Sequence, residues 1–159
     1  MEPHLYHVDI SWSHDRLGMM CSPELKDAHN TPENEGCIQV ATPPEFPKGI
    51  PGIWSPEHLF TASVSSCLMT TFLAVAENSK LEFVSFQCSS DGKLEQVDGK
   101  FLMTEIMLRP RVVIRDEKDR EKAIRILQKS EANCLISNSV KSKVIMEPVI
   151  EVQPMTVTA

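Results

Sequence analysis

The sequence predicts an α+β fold, with helices segregated from an antiparallel sheet. Three features point there: an apolar helix over 55–78, two long alternating runs meeting at Asp98-Gly99, and an amphipathic segment over 116–133. The predicted order of elements is βββ-α-ββ-α-β. A chain of 159 residues suits one domain, spanning 1–159, and can bury about two thirds of its unfolded surface.

From His4 to Trp12, the residues Leu5, Tyr6, Val8, Ile10 and Trp12 alternate roughly with polar ones, as on a strand. Short strands are also predicted over 17–21 and 37–41. Between them, 22–36 holds Ser, Pro, Asp, Asn and Gly, the composition of a turn or loop. The stretch TPPEFPKGIPG, 42–52, has four prolines and two glycines in eleven residues and reads as a loop. Ser55-Pro56-Glu57 then starts a helix: Ser caps the first free amides, Pro fits the first helical position, and Glu complements the positive helix end. Continued to Asn78, that helix is ~36 Å long at the standard rise. Leu59, Phe60, Val64, Cys67, Leu68, Met69, Phe72 and Leu73 leave it no polar face, so burial on most sides is expected. In so short a chain this implies a central helix covered by a sheet and by another subunit.

Strands over 82–95 and 101–115 follow, and Asp-Gly between alternating runs signals a hairpin. Over 116–133, Ala123, Ile124, Ile126 and Leu127 recur at helical spacing. A short helix is expected over 137–141, a last strand over 143–152, and a disordered tail over 153–159.

Net charge of −6 and a pI near 5.4 argue against nucleic acid as a main partner, since phosphate binding needs a basic face. The opening residues MEPHLYHVDISW lack the basic stretch and apolar run of a signal peptide. The stretch 59–76 is rich in Ser and Thr and reads as too broken for a membrane span. A cytoplasmic location without a membrane partner is therefore expected. There, cysteines 21, 37, 67, 88 and 134 would stay reduced unless one pair cycles. Their number is odd and no C-x-x-C or zinc-type Cys/His spacing is present, so neither a disulfide framework nor a structural zinc is expected. No Gly-rich dinucleotide fingerprint, haem motif or metal set is present, so no cofactor or metal is expected.

Cys67 lies in the middle of the apolar helix, where a cysteine is usually a small core residue. Cys134 falls just past the second helix, where a substrate reaches a thiol more easily. Cys21, Cys37 and Cys88 sit in strand-like contexts and read as packing residues. The residues alone do not single out Cys67 and Cys134 over other pairs. Likewise Glu57 reads as a first-turn helix charge and Arg16 as a solvated turn residue.

A resemblance separates these readings. The segment SPEHLFTASVSSCLMTTF, 55–72, resembles the signature of the OsmC/Ohr family, in which Pro-Glu opens the central helix and the reactive cysteine follows ten residues after the Glu. Glu57 and Cys67 have that spacing. Cys134-Leu135-Ile136-Ser137-Asn138 matches the family's second motif, a cysteine followed after two residues by Ser-Asn. Trp12 through Arg16 and Gly18 match an N-terminal strand followed by a turn holding Arg and Gly. The resemblance implies an OsmC-like fold, with antiparallel sheets wrapped around long central helices in an intertwined homodimer whose active sites lie at the interface. It also implies a thiol peroxidase that reduces organic hydroperoxides. Cys67 would be the reactive thiol and Cys134 the resolving one. Arg16 and Glu57 would support them. For the Ohr branch it implies a lipoyl-type dithiol as co-substrate, carried in some cases on a lipoylated protein partner.

Peroxide cleavage needs these residue types. A free thiol with a pKa near 8.5 is mostly protonated at neutral pH, and a guanidinium beside it stabilises the thiolate and polarises the O–O bond. Glu57 would orient Arg16 through a bidentate pair. Ten residues of straight helix span ~15 Å, so Glu57 does not reach Cys67 along one helix, and action across a dimer becomes a real option. Attack leaves a sulfenic acid on Cys67, which a second thiol condenses into a disulfide. Phe60, Met69 and Phe72 would suit an apolar substrate pocket, and core packing explains them equally well. Two other readings stand beside this one. One is a non-enzymatic thiol sensor or small-molecule binding protein on the same fold. The other is a Cys-nucleophile hydrolase, for which the histidines at 4, 7, 14, 29 and 58 offer no obvious base with an orienting partner.

Overall fold

The structure is a computed structural model that describes residues 1–25 and 36–154. Part of the expected 22–36 loop and the end of the 153–159 tail lie outside the described residues. The chain forms two compact units, Met1–Leu59 and Phe60–Ala159.

The N-terminal unit is an antiparallel meander of β1 (Asp9–His14), β2 (Leu17–Cys21) and β3 (Cys37–Ala41), in that order across the sheet. β2 and β3 have the expected bounds. β1 starts later than the alternation over 4–12 suggested and runs on to His14; its apolar residues, and those before it, are exposed rather than facing a core. Asp15 takes a left-handed conformation (φ 47°) to turn the chain between β1 and β2. Opposite Trp12 stands Gly18, where a side chain would meet the Ser11 carbonyl oxygen at 2.8 Å; glycine there lets the two strands pass closely.

Register brings Cys21 opposite Cys37, and the two sulfurs are bonded, with Cα atoms 4.1 Å apart. This corrects the expectation that both are reduced packing residues. Cross-strand pairs come this close only once register is set, and register cannot be read from cysteine spacing. The proline-rich stretch after β3 is irregular but tied down: Ala41 N–H donates to Trp54 O (2.9 Å), Thr42 N–H to Arg16 O (3.2 Å) and Ile50 N–H to Thr42 O (2.9 Å).

The boundary between the units falls in the first turn of α1 (Pro56–Asn78). Ser55 caps this helix as expected, its Oγ accepting from His58 N–H at 3.2 Å. Along α1, Val64, Cys67, Leu68, Phe72 and Ala76 form one buried stripe at helical spacing. Met69 and Leu73 on the far side are 39% and 43% exposed, so within a single chain α1 is covered on one face, not on most sides as expected. Its most apolar 18-residue stretch has a mean hydropathy of 1.7, long and apolar enough for a membrane span by length and composition alone, its Ser and Thr residues notwithstanding. Only 28% of that stretch is buried in the chain, so most of this apolar surface lacks a cover.

β4 (Phe83–Val97) and β5 (Lys100–Ile114) make one long antiparallel hairpin. Asp98 and Gly99 turn it with positive φ at both positions (49° and 78°), the conformation of a tight primed turn. Asp116 accepts from Lys118 N–H and opens a 3-10 turn that leads into α2 (Arg120–Asn133), so the expected helix begins a few residues late. The expected final strand is two strands, β6 (Lys143–Met146) and β7 (Val149–Val152). Pro148 between them has no amide to donate to a ladder, which breaks the run. Both pair with β5 in parallel, so this sheet is mixed and not purely antiparallel as expected. The parallel return follows from α2, which carries the chain back to the start of β6. Phe72 and Ala76 of α1, Val112 and Ile114 of β5, and Ala123, Ile126 and Leu127 of α2 share one core with Ile150. A second cluster joins Val64 and Leu68 to Ile106 and Leu108.

Candidate active site

The C-terminal unit brings two of the expected site residues together. Cys67 belongs to the buried stripe of α1 and is 8% exposed. Cys134 is the residue that ends α2; its extended backbone (φ −65°, ψ 111°) turns the chain away from the helix, and it is fully buried. The segment behind it is pinned by its own hydrogen bonds. Asn138 N–H donates to Cys134 O (3.0 Å), Ser139 N–H to Ile136 O (2.9 Å), and Ser139 Oγ to Leu135 O (2.7 Å). Asn138 Nδ2 reaches back to Ala132 O (3.1 Å) and satisfies a carbonyl at the end of α2. The expected helix over 137–141 is a single 3-10 turn, Ser137–Ser139.

The two thiols are neighbours that influence each other's ionisation, and their surroundings differ. Burial opposes the Cys67 thiolate and is the largest single influence on it. The Cys134 thiol, the Ile136 amide, the Thr71 hydroxyl and the Leu135 amide all donate toward Cys67 and together outweigh burial, holding it below the ordinary thiol value. Thr71 Oγ1 lies 3.9 Å from Cys67 Sγ, one turn along α1. For Cys134, burial and then the bond to Cys67 push the thiol up, against smaller help from the side chain and amide of Ser137. The two thiols are therefore shifted in opposite directions, Cys67 down and Cys134 up. Such a difference suits a nucleophilic thiol with a second thiol as its neighbour. Among the described residues, no histidine is one of the groups that shift either thiol.

In the N-terminal unit, Arg16 and Glu57 line a common cavity of about 870 Å³ together with Trp12, Pro43 and Phe46. Arg16 stands in the turn between β1 and β2, and Glu57 in the first turn of α1. Cys88 is a half-buried free thiol near Ser90 Oγ (3.5 Å). Among the described residues no group of three or more His, Cys, Asp or Glu side chains is placed to hold a metal ion.

Sequence reasoning missed Thr71 and the amides of Leu135 and Ile136. Thr71 was visible in principle, four residues after Cys67 and so on the same helix face. Backbone amides leave no mark on composition.

Residues 49–148, which include Glu57, Cys67 and Cys134, match the family model described as OsmC-like protein. The chain belongs to the OsmC-like family. Over 150 residues it is 23% identical to the uncharacterized protein YmaD of Bacillus subtilis, covering 92% of this chain and 93% of that one. An OsmC-like protein of unknown function from Vibrio cholerae superposes with a TM-score of 0.77 at 22% identity, over 92% of this chain and 100% of its own. An organic hydroperoxide resistance protein from Legionella pneumophila gives a TM-score of 0.69 at 18% identity, over 96% and 100%. The organic hydroperoxide resistance protein OhrB of Bacillus subtilis gives 0.59 at 18%, over 94% and 98%. The fold is thus the OsmC-like one, a mixture of α and β elements as the sequence suggested.

Proposed function

We propose that this OsmC-like protein is a thiol-dependent peroxidase that reduces organic hydroperoxides. The observation that carries the reading is that buried Cys67 of α1 and buried Cys134 at the end of α2 are neighbours, their thiols shifted in opposite directions. In the first step the Cys67 thiolate attacks the outer peroxide oxygen. The O–O bond breaks, the alkoxide leaves and takes a proton as the alcohol, and Cys67 carries the oxygen as a sulfenic acid. Cys134 then attacks the Cys67 sulfur, an S–S bond forms, and the oxygen departs as water. A dithiol reductant, a lipoyl group being the candidate, restores both thiols by exchange.

Arg16 is assigned the charge that favours the thiolate and polarises the peroxide, and Glu57 the task of orienting it. Their shared cavity supports that pairing. A homodimer is part of the reading, because the exposed apolar face of α1 at Met69 and Leu73 calls for a cover and a two-fold contact supplies one. The working location is the cytoplasm, where dithiol reductants keep the cycle turning. No metal or bound cofactor enters the reaction.

The test is a single turnover. One equivalent of cumene hydroperoxide is added to the reduced protein, and the products are mapped by mass spectrometry. A bond between Cys67 and Cys134, formed with release of one equivalent of alcohol, supports the reading; unreacted thiols or bonds to other cysteines overturn it.

A further inference from the structure

The proposed reaction leaves one buried group in its neighbourhood unused. Ser137 Oγ is buried and closes no hydrogen bond in the reduced pair, although it lies against Cys134 closely enough to favour its ionised form. A buried hydroxyl without a closed bond calls for an explanation. The backbone around it is also unusual. Carbonyls of Ala132, Cys134, Leu135 and Ile136 are all engaged by Asn138 or Ser139, which fixes the segment. The amides of Leu135 and Ile136 favour the ionised form of Cys67, and the amide of Ser137 favours that of Cys134.

We propose that Ser137 is a positioning residue for disulfide formation, its hydroxyl and amide holding the Cys134 sulfur as it attacks oxidised Cys67. The inference rests on the peroxidase reading and concerns its second step. Burial favours the protonated Cys134 thiol at rest, which has no need of Ser137. Once Cys67 carries the peroxide oxygen, Cys134 must lose its own proton to act as a nucleophile. Its S–H bond and the S–O bond of Cys67 break, the S–S bond forms, and proton and hydroxide leave together as water. No further oxidant is consumed. During that step the Cys134 sulfur carries negative charge, and the Ser137 hydroxyl closes the bond that it lacked at rest.

The experiment follows the two steps separately in the full-length protein with cumene hydroperoxide, by rapid quench, thiol labelling and mass spectrometry. Ser137→Ala should oxidise Cys67 at the wild-type rate. It should form the disulfide about tenfold more slowly, the scale of losing one hydrogen bond to a charged group. Cys67 sulfinic acid should accumulate with excess peroxide. The pH dependence of disulfide formation should move upward, a change that loosened packing alone does not cause. Ser137→Thr, which keeps the hydroxyl, should restore rate and profile. Unchanged disulfide formation in Ser137→Ala overturns the inference while leaving the peroxidase reading intact, and so does a Ser137→Thr protein as slow as Ser137→Ala. A wild-type protein that never joins Cys67 to Cys134 overturns both.

Discussion

Replacing Phe72 with alanine removes the ring on which the C-terminal core turns. Phe72 is fully buried five residues past Cys67 on α1. Its ring stands edge-on to Phe83 (centroids 5.2 Å apart) and tilted against Phe86 (4.9 Å). The same cluster joins α1 to β5 and α2 through Val112, Ile114, Ile126 and Leu127. Truncation of a buried Phe to Ala costs about 3–5 kcal/mol, as lost transfer energy plus the cavity left behind. Loss of two aromatic contacts, each of about 0.5–1.5 kcal/mol, puts this site in the upper part of that range. With the wall built from two β-strands and two helices, little collapse into the gap is open to it. The expected loss is about 4 kcal/mol, and the melting temperature should fall by roughly 8–16 °C for a chain of this size. Phe72→Leu, which keeps most of the volume, should lose less than about 1.5 kcal/mol. Urea unfolding with both variants at matched slope reads these values directly. A Phe72→Ala loss below about 1.5 kcal/mol with the slope unchanged would refute the assignment of Phe72 to the centre of the core.

The alkylation rate of Cys67 should rise with pH around a midpoint below that of an ordinary free thiol, because donors from Cys134, Ile136, Thr71 and Leu135 favour the anion more than burial opposes it. Cys134→Ala and Thr71→Val should each move that midpoint upward, measured by iodoacetamide labelling and mass spectrometry. In stability the sign runs the same way: the lowered Cys67 value favours the folded state above the unfolded thiol's pKa, and that contribution fades as pH falls through the folded one. Cys134, raised by burial, acts with the opposite sign, so the difference in stability slope between Cys67→Ser and Cys134→Ser reports the opposite shifts. Reduction of the Cys21–Cys37 bond, whose cysteines are 16 residues apart, should cost about 3 kcal/mol in the chain-entropy picture, read by unfolding the wild-type protein with and without reductant beside Cys21→Ser, which should not respond to reductant. Mixing an Arg16→Ala chain with a Cys67→Ser chain should regenerate activity if the proposed dimer shares its sites between subunits; a monomer by light scattering would remove the dimer from the account.

What the sequence revealed and what it hid divide along physical lines. Signals carried by neighbouring residues were legible. Ser55-Pro56-Glu57 opens α1, Asp98-Gly99 turns the hairpin, and β2 and β3 have the expected bounds. Pro148 was equally visible as a break, yet the apolar run on both sides of it read as one strand. Properties that depend on partners far along the chain were not legible. The pairing of Cys21 with Cys37 depends on register, and the parallel arrangement of β6 and β7 depends on where α2 delivers the chain. At the candidate site, the choice of Cys67 and Cys134 came from the resemblance, since spacing alone did not favour one pair. Their proximity, the Thr71 hydroxyl and the amides of Leu135 and Ile136 come to bear on Cys67 only once the helix end and the segment after it are folded.

The central claim is that Cys67 and Cys134 carry a peroxidase cycle fed by a dithiol. Steady-state turnover of cumene hydroperoxide with dihydrolipoamide tests it most directly, run beside hydrogen peroxide and beside the Cys67→Ser and Cys134→Ser proteins. The account predicts sustained turnover that favours the organic peroxide. Cys67→Ser should abolish it, and Cys134→Ser should stall after one oxidation. Turnover that survives Cys67→Ser, or a wild-type protein that oxidises once and is not recycled by any dithiol, would contradict it.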